Sequence, residues 1–417
     1  MNLNPVIDTI SDRWDMFLPV GVIGALSWGI WLCRKLMSLF YRPTINNYRA
    51  TTSVVVPSFR EDPDVLLDCL QTWLAQDPTE IIIVLDLADT EARDRLIALG
   101  NPTIHVMMFA HEGKRSALGV GIKTARYDIL VLTDSDTRWQ PGLLAAVQMP
   151  FIDPEVGGVG TRQNVYEPYS SIWRRVADWI IDIRYLDYVP ACGRRGSVVC
   201  LSGRTAAYRR SVVLPVLHDL EYEYFFNRRC VAGDDGRLTW LVLAQGYKTM
   251  HQDTARALSM FPASFKAMCK QRVRWSRNSY RCYLTCIYKG WLWRQPFISQ
   301  ITVFQILSTP LTMFAAVYFV TSAWFSPQRH IAFALALAWV FVGRSIRSIS
   351  HLRSRPSDLL ILPVVTLMIV FVALPVKTMA FFTMNKQGWL TRHKDMVGGE
   401  GQDNASLHAE ASGDAAA

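Results

Sequence analysis

Residues 16–33 (MFLPVGVIGALSWGIWLC) run for 18 positions without a charge, and no comparable run recurs across residues 45–290. A run of that length is just sufficient for a helix to span a bilayer. Apolarity returns only at 297–325, 331–343 and 359–384. The chain is therefore laid out as a membrane anchor, a long water-facing middle and a second membrane-associated region. Composition agrees with this layout. Half of the residues are hydrophobic and 19% are charged, whereas ordinary soluble domains carry about 25% charge. Disorder of the bulk is excluded, because so much apolar surface must be buried. With 24 Gly and 20 Pro in 417 residues, collagenous and low-complexity chains are excluded too. Against 35 Asp and Glu stand 44 Lys and Arg, a net charge of +9. Nucleic acid, anionic lipid or an anionic substrate could each answer that excess.

Asp8, Asp12 and Asp15 precede the first run, and Arg34, Lys35 and Arg42 follow it. The positive-inside rule places the middle of the chain in the cytoplasm. There is no basic start and no small-residue cleavage site, so the run is expected to stay as an anchor. Of the eight Cys, none forms a C-x-x-C pair. Cys282 and Cys286 lie one helical turn apart without a second pair at zinc spacing. Free reduced thiols are the expectation, with a structural metal site as the alternative. Residues 397–417, rich in Gly, Ala and acid, are expected to be disordered.

The middle alternates between short apolar runs and helical patterns. Ser53–Val56, Ile81–Leu85, Ile104–Phe109 and Ile129–Leu132 read as strands, and apolar runs of this kind belong to a parallel sheet covered by helices. Asp62 followed by Pro63 predicts a helix start. Open α/β sheets bind ligands at the carboxyl ends of their strands, so the polar residues there are the place to look for chemistry. Asp86 ends the second strand. Glu112-Gly113-Lys114-Arg115 follows the third, and Thr133-Asp134-Ser135-Asp136-Thr137 the fourth.

In an extended segment Asp134 and Asp136 point the same way. Such a pair is either a polar capping turn or a hard-oxygen site for Mg²⁺ or Mn²⁺ that shares its ligands with a diphosphate. Lys114 is either a solvated lysine or a point charge at a phosphate-binding helix start. The segment SVVCL reads as strand-like and leads into Ser202-Gly203-Arg204. Gly233-Asp234-Asp235-Gly236 then brings two adjacent carboxylates whose mutual repulsion raises one of them. They are either helix caps for 237–245 or the general base for a sugar hydroxyl. Residues 264–294 hold eight basic residues and no acid. Gln271, Arg274 and Trp275 share one face of a helix there. Arg suits a diphosphate, and Trp offers an apolar face to a sugar ring. The same helix fits the headgroup layer, and 172–188 has a similar amphipathic character or serves as a lid or packing helix.

The order VPSFRE, VLD, EGKR, TDSDT, LSGR, GDDGRLT, QRVRW and QGWLTR, running from about residue 50 to 392, resembles the processive family 2 glycosyltransferases. The likeness is greatest to bacterial hyaluronan synthases and nodulation-type chitin-oligosaccharide synthases. The resemblance implies an α/β fold of the GT-A type, a nucleotide-diphospho-sugar transferase domain, with N- and C-terminal transmembrane and interfacial helices. It implies an anchor at 1–44, the transferase domain at 45–260, the Q-x-x-R-W and interfacial helices at 261–296, a membrane region at 297–384, a gating segment at 385–396 and a tail at 397–417. By the same resemblance Asp86 contacts the uracil side of a UDP-sugar and Lys114 sits beside the nucleotide. Asp134 and Asp136 form the D-x-D, with Asp136 the metal ligand. Asp235, beside Asp234, is the catalytic base. Gln271, Arg274 and Trp275 hold acceptor sugar and diphosphate. Trp389, Thr391 and Arg392 gate the site. Three positions depart from the pattern: Leu390 replaces a Gly, Gly236 stands where Arg is usual, and Arg204 where Pro is usual. Gating residues must face the cytoplasm, so three spans are expected (16–33, 297–325, 331–350). Pro363, Pro375 and Lys377 then make 359–384 an interfacial or re-entrant helix pair.

The expected activity is inverting, processive transfer from UDP-sugars, UDP-GlcNAc among the donors, into a hyaluronan-like or chitin-like polymer that crosses the cell membrane. Mg²⁺ or Mn²⁺ is the expected cofactor. Donor, growing polysaccharide and membrane lipids are the expected partners. A non-processive transferase with a lipid acceptor and a non-catalytic channel or scaffold are the alternatives. Nucleic acid is disfavoured, because the basic cluster adjoins the membrane segment at 297.

Overall fold

The computed structural model describes residues 14–110, 112–325 and 327–386. Its strands are β1 (Thr52–Ser58), β2 (Glu80–Asp86), β3 (Ile104–Phe109), β4 (Ile129–Thr133), β5 (Thr137–Trp139), β6 (Val156–Val165), β7 (Thr205–Arg209), β8 (Tyr224–Phe225), β9 (Arg228–Arg229) and β10 (Lys248–Ser259). Eight of them form one sheet in the order β3-β2-β1-β4-β7-β6-β10-β5. The four strands expected from sequence are mutually parallel, as anticipated. Beyond β4 the sheet is mixed: β7 runs antiparallel to both β4 and β6, and β5 antiparallel to β10. The strand expected at SVVCL is a covered loop. Val198, Val199 and Leu201 are buried, but only Ser197 forms a bridge, to Thr249. The Leu201 N–H is taken by Thr239 Oγ1 instead of a neighbouring strand.

Alternation along β1 divides the core between the two faces of the sheet. Val54 and Val56 pack with Leu66, Leu70 and Trp73, while Val55 packs with Leu118 and Ile122. The helices used below are α1 (Trp14–Leu39), α2 (Pro63–Leu74), α3 (Lys114–Thr124), α4 (Ile172–Ile183), α5 (Asp234–Ala244), α6 (Phe265–Tyr288), α7 (Phe297–Trp324), α8 (Arg329–Arg347) and α9 (Ala373–Phe382). α2 starts as its sequence predicts, with Asp62 accepting from the Asp64 N–H and Pro63 in the first turn. α5 starts three residues earlier than expected. Gly233, at φ 80, occupies the cap position, so Asp234 and Asp235 lie inside the first turn rather than before it. α4 is a packing helix with two working faces. Ala177 and Ile181 join the sheet core, and Val176 and Trp179 meet Ile361, Leu362 and Val365.

α7 and α8 are long and apolar enough to cross a membrane. They form an antiparallel hairpin, in which Trp324 packs edge-on against Phe333 with ring centroids 5.3 Å apart. Phe304, Leu311, Phe314, Trp339 and Val342 are exposed along it. α8 ends at Arg347, short of the expected 350, because the chain turns at Ser348 into a short helix, Ile349–Ser354. α1 is a helix of 26 residues covering the first expected span.

The helix pair expected over 359–384 is instead one continuous helical stretch. It runs from Pro356–Ile361 through Leu362–Leu367 and a π-helical turn, Met368–Val372, into α9. Pro363 sits in a first turn, where no N–H is required. The carbonyl that Pro375 leaves without a partner, four residues back at Phe371, falls inside the π turn, which absorbs the mismatch. One end of the stretch is tied to α4 and the other to α6. Arg175 Nε donates to Asp358 at one end, and Arg277 Nε to Thr383 Oγ1 at the other. The stretch therefore lies against α4 and α6.

Candidate active site

α3 and α5 both begin at the carboxyl ends of β1 and β4, so two helix N-termini and two strand ends converge. Between them lies a narrow cleft whose polar lining includes Lys114, Thr133, Asp134, Asp234 and Asp235. Lys114 Nζ is 2.9 Å from Asp134 Oδ1 and 3.0 Å from Asp234 Oδ2. Burial opposes the charge on Lys114, but Asp134 and Asp234, with Asp235 behind them, outweigh it and hold the ammonium above its ordinary pKa. Burial lifts the Asp234 carboxyl above the usual carboxylate range. Lys114 pulls it down, and Asp235 and Asp134 push it further up. The raised member expected of the acidic pair is thus Asp234. Asp235 accepts from the Gly236 N–H at 2.8 Å through Oδ1, and its Oδ2 lies 3.8 Å from Cys200 Sγ.

A second narrow cleft is lined by Ser58, Asp86 and Phe109 and shares Pro57 with the first. Asp86 accepts from the Ala88 N–H at 3.0 Å. The two clefts meet at Pro57, the first lined by charge and the second walled by Phe109.

The segment after β4 is a tight turn, closed by the Thr137 N–H on the Asp134 carbonyl at 3.2 Å, and not the extended piece expected. The D-x-D carboxylates are therefore not held in parallel by a pleat. Asp134 lines the cleft, while Asp136 is 3% exposed, with Thr137 Oγ1 at 3.4 Å. Among the described residues no group of three or more His, Cys, Asp or Glu stands ready to hold a metal. The cleft offers hard-oxygen donors, of which Asp134 and Asp234 are already paired with Lys114. Three carboxylates line the cleft against one ammonium, and Mg²⁺ or Mn²⁺ commonly takes its remaining ligands from phosphate and water. All eight cysteines are free.

Gln271, Arg274 and Trp275 lie on α6 as expected. Gln271 Oε1 is buried without a hydrogen-bond partner. Trp275 meets Phe261 edge-on, and the Arg204 guanidinium lies 4.9 Å from its ring centroid. The Arg204 carbonyl accepts from the Asp134 N–H at 3.1 Å and from Thr133 Oγ1 at 2.8 Å. Arg204 therefore links the α6 motif to the strand end that carries Asp134. Beside it, Arg272 is pushed down to about 10 by burial and by repulsion from Arg204 and Arg184. Trp389, Leu390, Thr391 and Arg392 lie outside the described residues.

Sequence reasoning gave no role to Gly203, which faces the Lys114–Asp234 bridge, or to Arg204. The signal was present in SGR following a buried apolar run. What concealed it was reading that run as a strand rather than as a loop delivering its end to the cleft.

The family model described as "Glycosyltransferase like family 2" matches residues 49–278, which span both clefts and the α6 motif. Hyaluronan synthase of Streptococcus pyogenes serotype M3 is 25% identical over 386 residues, covering 90% of this chain and 91% of its own. An N-acetylglucosaminyltransferase of Azorhizobium caulinodans is 30% identical over 242 residues, covering 55% and 59%. A mannosyltransferase of Pyrobaculum calidifontis, solved with GDP-Man and Mn²⁺, superposes with a TM-score of 0.60 at 17% identity. That superposition covers 88% of this chain and 97% of the other, a likeness of fold.

Proposed function

We propose, from the premise that this chain belongs to glycosyltransferase family 2 and has the GT-A fold, that it polymerises sugars from UDP-sugars by inverting, processive transfer. The growing polysaccharide would leave across the membrane. The observation that carries this reading is the cleft in which Lys114, Asp134, Asp234 and Asp235 meet at the strand ends.

In this reading the uracil end of the donor occupies the Asp86 cleft, and its diphosphate lies toward Lys114. The acceptor hydroxyl oxygen forms a bond to the anomeric carbon from the face opposite UDP, and the bond from that carbon to the diphosphate oxygen breaks. The hydroxyl proton passes to Asp235. Asp234 stays paired with Lys114, keeping the ammonium beside the departing diphosphate. Such preorganised charge supplies about 3 kcal/mol per well-placed donor. Asp134, which lines the cleft, would take part in holding Mg²⁺ or Mn²⁺, and Asp136 would join it only on opening of the 134–137 turn; the cation would supply positive charge against the diphosphate. Gln271, Arg274 and Trp275 receive the acceptor end, with Trp275 offering a ring face to sugar. Trp389 and Arg392 close the site in the same reading.

The protein would sit in the cell membrane with the catalytic domain in the cytoplasm, anchored by α1, α7 and α8. Its relatives include both a hyaluronan synthase and an N-acetylglucosaminyltransferase, which supports UDP-GlcNAc as a donor. Membranes given UDP-GlcNAc alone, UDP-GlcA alone and both together, with the product sized, would decide between a chitin-like and a hyaluronan-like polymer. Asp235→Asn should lower UDP release by about 10³-fold, within the range for loss of a general base, while UDP binding stays intact. Polymer made at the parental rate by this variant would overturn the base assignment.

A further inference from the structure

The connection between α8 and the last helical stretch is bolted to the catalytic domain. His351 is fully buried, and each ring nitrogen meets a carboxylate: Nδ1 lies 2.9 Å from Asp182 Oδ2 and Nε2 lies 2.8 Å from Asp358 Oδ2. Both contacts lie at hydrogen-bond distance. Arg355 pairs with Asp178, one turn before Asp182 on α4, and Asp358 also takes Arg175 Nε at 2.5 Å. Trp179 Nε1 donates to Ser348 Oγ at 2.9 Å, and its ring centroid stands 4.8 Å from that of His351. From α1, Lys35 Nζ reaches Asp187 Oδ1 at 2.8 Å and also bonds Ser350. The domain-side ends of α1 and α8 are thus fastened to α4 and to the π turn Arg184–Tyr188 that follows it.

A buried ionic cluster of this kind adds little net stability, because desolvation offsets the attraction. What it supplies is definite geometry, and that geometry leads to the cleft. Arg184, the first residue of the π turn, donates Nη2 to the Cys200 carbonyl at 2.9 Å. Cys200 Sγ lies 3.8 Å from Asp235 Oδ2. The next residue, Leu201, donates its N–H to Thr239 Oγ1, which donates to the Asp235 carbonyl at 2.7 Å. Single π turns inside helices commonly mark functional positions, and this one stands between the clamp and the proposed base.

We infer that His351, with Asp182 and Asp358, is a positioning group for transfer: the clamp holds α4 against the membrane helices, so that Arg184 keeps Cys200 and Asp235 in register with the membrane region. The inference rests on the transferase reading of the cleft. Its consequence is selective. The donor residues Lys114 and Asp86 stand on α3 and β2, away from the clamp, so donor binding should not depend on it. Turnover and the hand-over of the lengthening acceptor should.

The test uses the full chain in membranes, with His351→Gln, the near-isosteric Asp182→Asn, and Arg184→Lys, which keeps the charge but not the bond to Cys200. For each variant, kcat, donor KM, UDP affinity, product length and thermal midpoint are measured. All three variants should lower kcat by about fivefold, the size of coupling carried by such networks, and shorten the product. Donor KM and UDP affinity should stay within about twofold, the signature of an interaction that acts on turnover and not on ground-state binding. If His351→Gln does not accumulate, Asp182→Asn and Asp358→Asn carry the same reading. Parental transfer with unaltered kcat and product length in the clamp variants would overturn the positioning role alone. So would a loss of UDP affinity in proportion to the thermal midpoint, which marks a merely structural role. No transfer by the parental chain would overturn the transferase reading as well.

Discussion

A Cβ added at Gly203 would stand 3.2 Å from both Lys114 Nζ and Asp234 Oδ2, and 3.3 Å from the Asp235 Cβ. The lysine end can move aside at small cost to folding, but in moving it leaves the position proposed to serve the diphosphate. Gly203→Ala is therefore expected to cut transfer by about tenfold through misplacement of a charged group, with the thermal midpoint nearly unchanged. Equal activity of this variant in a UDP-release assay would show that the bridge is not held at the reacting geometry. At this scale the strand-end residues Asp86, Lys114 and Asp134 were legible in the sequence, because a short apolar run ending in a polar residue encodes its own end. The disposition of Asp136 was not. Whether Asp-Ser-Asp extends or turns is decided by the Thr137 N–H bonding back to Asp134, and by Ser135 donating to Glu61 across the fold.

Among elements, those whose burial is written in their composition were readable, and those shaped by partners were not. β6 (VGGVGTRQNV) lacks an apolar signature. Its Gly158 is needed because Leu201 packs where a Cβ would stand 2.8 Å from Leu201 Cδ1. β10 is largely polar along KTMHQDTARALS, so half of the sheet could not be anticipated. The 356–382 stretch misled for the opposite reason. Two prolines looked like breaks, yet one begins a helix and the other follows a π turn. α6 was legible as a helix, but its docking through Arg204 was not, since that depends on residues about 70 positions away. The Arg204 guanidinium lies 3.9 Å from the Phe261 ring centroid as well as against Trp275. Arg204→Ala should lower stability by about 1–2 kcal/mol, as loss of a desolvated cation–π pair does. UDP affinity should be kept, because the carbonyl that receives the Asp134 N–H remains. Thermal unfolding beside UDP titration would check this, and a matched fall in both would show that α6 docking and the donor cleft are one unit.

For the whole molecule, the net charge of +9 and the 50% apolar content separate by place. Eight of the cations fall in the acid-free 264–294 stretch, where α6 lines the domain beside the last helical stretch. The apolar excess is displayed on the α7–α8 hairpin. α7, at 28 residues and about 1.5 Å each, is longer than the hydrocarbon thickness of about 30 Å. Its first turns are accordingly embedded in the domain: Ser299 donates to the Ser197 carbonyl, and Ile298, Thr302 and Val303 are buried. The proposed membrane crossing is left to the remainder. α8 then returns to the domain, where the segment from Ser348 to Asp358 is clamped on α4. In the proposed topology, a hairpin with both feet on the catalytic domain exposes its tip on the opposite side of the bilayer. A cysteine at Pro327, exposed at that tip, should react with a membrane-impermeant maleimide in intact cells above the parental background. One at Ser354, exposed near the clamp, should react only after permeabilisation. Protection of position 327 together with labelling of 354 would reverse the orientation expected from Arg34, Lys35, Arg344 and Arg347. The catalytic cleft would then lie outside, where a cytoplasmic UDP-sugar could not reach it.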